Sequence, residues 1–503
     1  MSTRTSRFIA GLLSGYANVG ANIVFTIISI PLALHYLSTE EFGLWVLAVQ
    51  INGYLGLVDL GMGSAISRFL ADHKDDVGSK GYGSHFATGA VVFGVQGLIT
   101  LLLGGTFSLL APALFAVPST LSMRFGELVG LLAMALGLSV GTRSLGSPLW
   151  AFQRFDVING LSCGVLLLSL PMLWWGFARG WGIFAFALTQ FAGVVITAGI
   201  SFAVCWKQGY YPSDRGSLRA DKVVFWELFR FGRDSVLVNL GSQLLNASQI
   251  IIISRVIGLN AAAIYAVGTK FYNMGLKLVV APIGSAAPGL TELFVRGEKK
   301  RFSQRYWDLI RGSLLAAILL AVPIAVGNKS AISIWTGGTI DWPKGADIAI
   351  GVLLVVQVMN GSFIGLFGII KNWQPVRKLK LVEAVLFLPL AIVLAKPFGI
   401  IGIVTASVVV QLTVSTAYAW RSAVCVIGQP REFATDLGWA VLSFGVAATM
   451  GLCLPMFIEN DYATAVSGAV ASSLVLAAIW MFRLSPDSKS QLRGMMAGVL
   501  ARR

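Results

Sequence analysis

Apolar stretches long enough to cross a lipid bilayer follow one another along almost the whole chain. They fall near 8–35, 43–66, 86–111, 128–150, 157–177, 181–206, 234–256, 261–291, 307–326, 348–370, 379–395, 400–420, 437–457 and 463–482, each close to or beyond the roughly 20 residues that a helix needs to traverse hydrocarbon. Backbone N–H and C=O groups in lipid must be satisfied within their own segment, so continuous apolar runs of this length fold as helices. Composition agrees: of 503 residues 56% are apolar and 12% are charged, where soluble domains carry about 25% charged residues. The expected fold is an all-α polytopic membrane protein of about 14 transmembrane helices, with too little chain left over for a soluble catalytic domain. The first run is too long for the core of a signal peptide and lacks a convincing cleavage site after it, so it is expected to remain in the protein.

A net charge of +15 would suggest nucleic acid in a soluble chain, but here the distribution supplies another cause. With the N-terminus taken as cytoplasmic, and with cations near a span edge (Arg255, Arg311, Lys380) counted with the adjoining connection, 29 of the 38 Lys and Arg fall on the cytoplasmic side, six on the opposite side, and three, Arg143, Lys270 and Lys277, deep inside spans. This bias places both termini in the cytoplasm and makes most of the charge an insertion signal. No nucleic-acid partner is needed. The most basic connections, "KQGYYPSDRGSLRADK" (207–222) and "RGEKKRFSQR" (296–305), read as topology determinants beside anionic lipid heads. Cys163, Cys205, Cys425 and Cys453 lie in or beside apolar stretches without CxxC spacing, implying neither a disulfide framework nor a zinc site.

The stretch "LALHYLSTEEFGLWVLA" (32–48) can be laid over "IIISRVIGLNAAAIYAVG" beginning at Ile252, pairing Leu37 with Ile257, Leu44 with Ile264 and Trp45 with Tyr265. Both contain the end of an odd-numbered helix, a short turn and the start of the next, so the copies share one orientation. Parallel six-helix repeats are a transporter architecture with the substrate path between the halves. The expected organisation is an N-terminal lobe (1–206), a cytoplasmic linker (207–224), a C-terminal lobe (225–420) and two extra helices with a basic tail (421–503), the two lobes enclosing a central cavity.

A cation at the centre of a membrane helix costs roughly 2.5–3.5 kcal/mol on insertion scales, so each requires an account. Lys270 and Lys277 are seven residues apart on one helix face with Asn273 between them, and Lys270 lies about 14 Å from the outer end of its helix, near mid-depth. Arg143 is the corresponding cation of the first lobe. Asn239, Gln243, Asn246 and Gln249 step by 4, 3 and 3 along one helix, and Asn18 and Asn22 form a shorter polar pair. Facing cations with an amide lining suit an anionic, hydrophilic solute, above all a diphosphate joined to sugars. Alternatively, the lysines pair with carboxylates such as Asp59 or Glu383, or bond to carbonyls, Asp59 pairs with Arg68 or a neighbouring helix, and the amides join helices. Asp59, Glu383 and His35 are the candidates for H+ or Na+ coupling, against ion pairing for both acids and a plain interfacial position for His35.

The strings "GLSVG" (137–141) and "GLSCG" (160–164) match GxSxG, but a nucleophile elbow needs a strand–turn–helix context and both lie in or beside membrane helices. Neither HExxH nor a Walker A string is present, which argues against an ATP site. Both glycine pairs also read as GxxxG, which lets helices approach closely.

The segment "IPLALHYLSTEEFGLWVLAVQINGYLGLVDLGMGSAISRFLAD" (30–72) resembles the first helical hairpin of the Wzx-type O-antigen and polysaccharide flippases of the multidrug/oligosaccharidyl-lipid/polysaccharide exporter superfamily. Residues 251–265 and "AFQRFDVING" (151–160) are similar to the same family. The resemblance implies a MATE-like pair of six-helix bundles around a V-shaped cavity. It also implies flipping of undecaprenyl-diphosphate-linked oligosaccharide across a bacterial inner membrane for lipopolysaccharide, capsule or exopolysaccharide assembly, beside a polysaccharide polymerase and export proteins. Fourteen helices are similar to the peptidoglycan-precursor flippases, which keeps lipid II as a possible cargo. No cofactor is expected, and Arg143, Lys270 and Lys277 are the residues onto which a cationic cavity carries over. The competing readings are a multidrug or cation antiporter of the same fold, which would favour carboxylates at mid-depth, and a membrane glycan polymerase or ligase. The latter needs an external catalytic platform, whereas the longest outer connection, 327–347, has only about twenty residues.

Overall fold

The computed structural model describes residues 3–115, 117–212, 218–370, 372–428 and 461–482, with isolated positions between 438 and 449. Among the described residues the chain is helical without strands. The helices are α1 (Thr3–Tyr36), α2 (Thr39–Leu55), α3 (Met62–Asp72), α4 (Lys80–Leu114), α5 (Ser119–Gly141), α6 (Arg143–Ala151), α7 (Phe155–Ala178) and α8 (Phe184–Lys207). They continue with α9 (Lys222–Val256), α10 (Leu259–Gly268), α11 (Lys270–Val295), α12 (Lys299–Thr336), α13 (Ala346–Ile369), α14 (Gln374–Val410), α15 (Ala417–Ile427) and α16 (Asp461–Phe482).

Among the described residues ten segments are long and apolar enough to cross a membrane, so this is a multi-pass membrane protein. The difference from the fourteen runs of the sequence has local causes. Residues 374–427 form one segment of 54, about 80 Å of helix at 1.5 Å per residue, but α14 breaks at Gly399, whose φ of 58° and ψ of −134° lie outside helical space. A Cβ on Gly402 would stand 2.0 Å from the Leu394 carbonyl, eight residues back, whereas a continuous helix would separate these residues by about 12 Å. The chain therefore doubles back here, and one segment supplies two crossings. The run 261–291 is interrupted between α10 and α11, and the run 437–457 lies outside the described residues except for a few positions.

Helix starts follow local capping chemistry. Ser38 and Glu41 form a reciprocal capping box at α2, with Ser38 N–H donating to Glu41 Oε2 at 3.0 Å and Glu41 N–H to Ser38 Oγ at 3.1 Å, satisfying two orphan donors of the first turn. Ser79 caps α4 through Tyr82 N–H and Asp221 caps α9 through Val223 N–H.

The chain divides into two compact units, Met1–Val267 with Trp373–Ile403, and Gly268–Asn372 with Val404–Arg503. In this division α9, α10 and the first part of α14 group with the N-terminal helices.

In the first unit α4 lies along α5, α1 along α7, and α9 against α2 and α3. The α4–α5 contact is set by glycine: a Cβ on Gly97 would come within 2.6 Å of the Gly137 carbonyl and 2.9 Å of Gly141 Cα. "GLSVG" is thus a helix-approach surface. By contrast, Gly160 and Gly164 of "GLSCG" face open space. At one end of the unit Tyr82, Ile66, Leu70, Phe93, Ala151 and Leu228 form a buried cluster. Tyr82 donates to the Tyr210 carbonyl at 2.8 Å and Tyr211 to the Leu145 carbonyl at 2.8 Å, while Phe152 stacks on Tyr210 at 4.1 Å. The two tyrosines thereby pin the start of the basic connection after α8. Burial pushes the Tyr211 phenol well above its ordinary pKa, so this anchor stays protonated.

In the second unit α12 packs against α11, α13 and α16. Tyr306 is buried and donates to the Ser362 carbonyl at 2.6 Å. Trp342 is fully buried against Gly268, where a Cβ would fall within 2 Å of the indole ring.

Candidate functional site

Each predicted intramembrane cation at the end of an interrupted span occupies the same local position. In the first unit α5 ends at Gly141, Thr142 takes φ −91° and ψ 1°, and Arg143 is the first residue of α6. Where the second unit begins, α10 ends at Gly268, Thr269 takes φ −91° and ψ 5°, and Lys270 is the first residue of α11. The tetrapeptides are Val140-Gly141-Thr142-Arg143 and Val267-Gly268-Thr269-Lys270. This recurring V-G-T-[RK] string is the signal that the sequence reading missed. Side chains bond the backbone around both breaks: Thr142 Oγ1 donates to the Leu138 carbonyl at 2.7 Å, beside the bond from Thr142 N–H at 2.9 Å, and Asn328 Nδ2 donates to the Gly268 carbonyl at 3.1 Å.

Arg143 Nη1 donates to Asp59 Oδ1 at 2.5 Å, and the guanidinium lies 5.7 Å from the Phe93 ring centroid. Asp59 itself ends a 3-10 turn, Gly56–Asp59, followed by Leu60 and Gly61, both in the left-handed region with φ 49° and 69°. Gln96 Nε2 donates to the Asp59 carbonyl at 2.9 Å, holding the break of the α2–α3 span. The pair is therefore a link between two broken spans, and it realises the alternative in which Asp59 accepts an ion pair from a neighbouring helix. It is only partly buried, with side-chain exposures of 40% for Arg143 and 24% for Asp59, and a guanidinium offers five N–H donors. One carboxylate does not exhaust it.

The amide stripe of α9 splits in two. Gln243 Nε2 donates to the Gly53 carbonyl at 3.0 Å, Tyr54 Oη reaches both the Gln243 carbonyl at 3.1 Å and Ser248 Oγ at 2.5 Å, and Gln249 accepts from Tyr265. These residues join α9 to α2 and α10. Asn239 and Asn246, seven residues apart, are instead exposed. On α1, Asn18 is half-buried with its Oδ1 lacking a hydrogen-bond partner, and the Asn22 carbonyl accepts from Thr26. His35 is exposed in the last turn of α1, edge-on to Tyr36. Glu383 is fully buried and accepts from Lys380 Nζ at 2.7 Å; its other oxygen, Oε1, has no hydrogen-bond partner.

In the second unit Lys270 is half-buried and no carboxylate among the described residues pairs with it. Asn273 turns its amide back to the Thr269 carbonyl at 2.8 Å, closing the break. Lys277, seven residues beyond Lys270 on the same face, is exposed. Asp347 accepts from Asn328 Nδ2 at 3.2 Å and from Lys329 N–H at 3.3 Å, so the amide that holds the Gly268 carbonyl is itself held by a buried carboxylate. Nothing in the sequence pattern pointed to Asp347, which opens α13. Among the described residues no group of three or more His, Cys, Asp or Glu is placed to hold a metal ion.

The family model described as "Polysaccharide biosynthesis protein" matches residues 11–294. Among solved structures, the lipid II flippase MurJ in an inward closed conformation gives a TM-score of 0.70 at 13% identity, covering 94% of this chain and 99% of that one. An inward-facing multidrug resistance MATE family transporter of the MOP superfamily gives 0.67 at 12% identity, covering 80% and 95%. A Vibrio cholerae MATE transporter, VcmN, gives 0.59 at 14% identity, covering 85% and 100%. No curated protein matches the sequence. At these identities the likeness to the solved structures is one of fold, and the fold is the MATE-like one that the sequence resemblance implied.

Proposed function

Because the chain belongs to the polysaccharide biosynthesis protein family, matched over more than half its length, we propose that it flips undecaprenyl-diphosphate-linked oligosaccharide across the bacterial inner membrane by alternating access. The observation that carries this reading is Lys270: a half-buried ammonium at a helix break, with no carboxylate among the described residues to neutralise it. A cation so placed costs free energy unless an anion is to be bound there. The glycan diphosphate is the anion. In the second unit Lys270 and Lys277 neutralise phosphate oxygens, with Asn273 between them; in the first, Arg143 has donors beyond the one that Asp59 occupies, and the exposed Asn239 and Asn246 with Asn18, Asn22 and Gln243 supply an amide setting for sugar hydroxyls. Of these, Gln243 and Asn273 act through the backbone they hold in place.

No bond is made or broken. The polyprenyl tail stays in lipid while the head group passes from one face to the other. Direction requires differential affinity in the two states, with a gradient of H+ or Na+ supplying the bias. Glu383 is the strongest coupling candidate of the three named from sequence, since it is buried with one unpartnered oxygen; Asp59 is occupied by Arg143 and His35 is exposed. Both termini are assigned to the cytoplasm on the distribution of basic residues.

The reading is tested by mass spectrometry of undecaprenyl-linked intermediates, with leaflet assignment, in cells carrying Lys270→Ala at normal protein levels. Repeat units accumulating on the cytoplasmic face are the expected result. Unpolymerised units displayed outside would identify a polymerase instead, and altered drug resistance with normal export would identify a multidrug antiporter.

A further inference from the structure

The turn joining α11 to α12 carries a cavity that plays no part in the proposed translocation. It has a volume of about 560 Å³ and is lined by Leu293, Arg301, Gln304, Arg305 and Asp308. The last four residues step by three, one and three, which is one face of a helix, and all four are exposed. Arg301 spends one nitrogen on Glu298 at 2.9 Å and retains further N–H donors. Among the described residues no carboxylate pairs with Arg305.

The depth of the cavity is set by α12. Residues 309–327, interrupted by Arg311 and a few small residues, span about 28 Å, the thickness of the hydrocarbon layer. Asp308 and Arg305 then fall about 2 and 6 Å beyond its edge, and Arg301 about 12 Å beyond it, where lipid phosphates lie. Immediately beside the cavity Phe294 and Val295 are 40% and 77% exposed, an apolar surface continuous with Leu293. A charged recess with an apolar flank at this depth matches a phospholipid entering sideways, phosphate first.

We propose that this recess binds the phosphodiester of an anionic glycerophospholipid from the adjoining leaflet. The charge of the recess selects the ligand. With Glu298 on Arg301 and Asp308 among the lining residues, the recess offers guanidinium N–H donors without a large excess of positive charge, which suits a phosphodiester monoanion better than a phosphate dianion. The Gln304 amide is placed to meet the hydroxyls of a glycerol head group, and Leu293, Phe294 and Val295 take the start of the acyl chains.

The test is native mass spectrometry of the full-length protein in detergent, titrated separately with phosphatidylglycerol, phosphatidylethanolamine and inorganic phosphate. Each interfacial cation contributes about 1 kcal/mol toward anionic lipid, so the double variant R301Q/R305Q is expected to lose about 30-fold in phosphatidylglycerol affinity. K299Q/K300Q removes the same charge outside the recess and is expected to lose clearly less, because those ammonium groups do not line the recess. Should R301Q/R305Q fail to fold, D308N is the second variant: it removes an exposed carboxylate and is expected to bind phosphatidylglycerol about fivefold more tightly. Equal losses in the two double variants, unchanged binding in R301Q/R305Q or D308N, phosphatidylethanolamine binding as tightly as phosphatidylglycerol, or displacement of the lipid by inorganic phosphate would each overturn the proposal.

Discussion

Arg143 and Asp59 meet at 2.5 Å where two interrupted spans of the first unit come together, the cation opening α6 and the carboxylate closing the turn after α2. Both groups are only partly buried, and if the accessible side faces water their attraction is screened and is worth no more than about 1 kcal/mol. A double-mutant cycle of Asp59→Asn and Arg143→Gln, read by thermal denaturation in detergent, should give a coupling within that bound. Export should respond differently. Asp59→Asn leaves a positive guanidinium and should retain flux, while Arg143→Gln should reduce it. Equal loss of export in both single variants would make the pair a structural rivet and remove Arg143 from substrate binding.

Lys270 should tolerate change of shape better than loss of charge. Lys270→Ala is expected to abolish glycan export, with the protein still in the membrane in normal amount, because removing an unpaired intramembrane cation relieves cost in the folded state. Lys270→Arg should retain a measurable fraction of export. Wild-type export from a well-expressed Lys270→Ala strain would end the proposed role.

The Gly97 contact makes a sharper stability prediction. Gly97→Ala forces a methyl into the α5 backbone and should cost about 1–3 kcal/mol, seen as a lowered melting temperature. Gly94→Ala, one turn earlier on the same helix and facing open space, should be neutral or stabilise by up to about 1 kcal/mol. Identical melting temperatures for the two variants would contradict the close approach of α4 and α5.

Lys380 and Glu383 form a buried pair, 19% and 0% exposed. Glu383→Gln leaves an uncompensated ammonium and should destabilise by about 3–5 kcal/mol, whereas Lys380→Met with Glu383→Leu should recover most of that loss. If the double variant is stable but transport loses its dependence on the ion gradient, the pair serves coupling. If transport is unaffected, it serves only to hold α14.

Much of the architecture was legible because lipid allows so few solutions: a run of twenty apolar residues can scarcely be anything but a helix. The GxxxG reading of 137–141 was equally direct, since glycine spacing encodes a surface. What escaped were the interruptions. Thr142 and Thr269 carry no proline, and the breaks they make are held by groups distant in sequence, such as Asn328 on Gly268. The amide stripe of α9 illustrates the other limit. Periodicity put Asn239, Gln243, Asn246 and Gln249 together, yet which of them meets another helix depends on what packs alongside, and Gln243 and Gln249 are consumed by Gly53 and Tyr265. The pairing of Asp59 with Arg143 was among the options that charge alone suggests, but choosing it required the turn at Leu60 and Gly61.

The two threonine breaks also have a mechanical corollary. A rod cut partway along and restarted can let either part tilt about the cut, and the point that travels least is the cut itself. Arg143 and Lys270 stand at those fulcrums. A phosphate gripped at either one would stay almost still while the two arms of that span swing past it, sparing the most strongly hydrated part of a passenger a passage through oil.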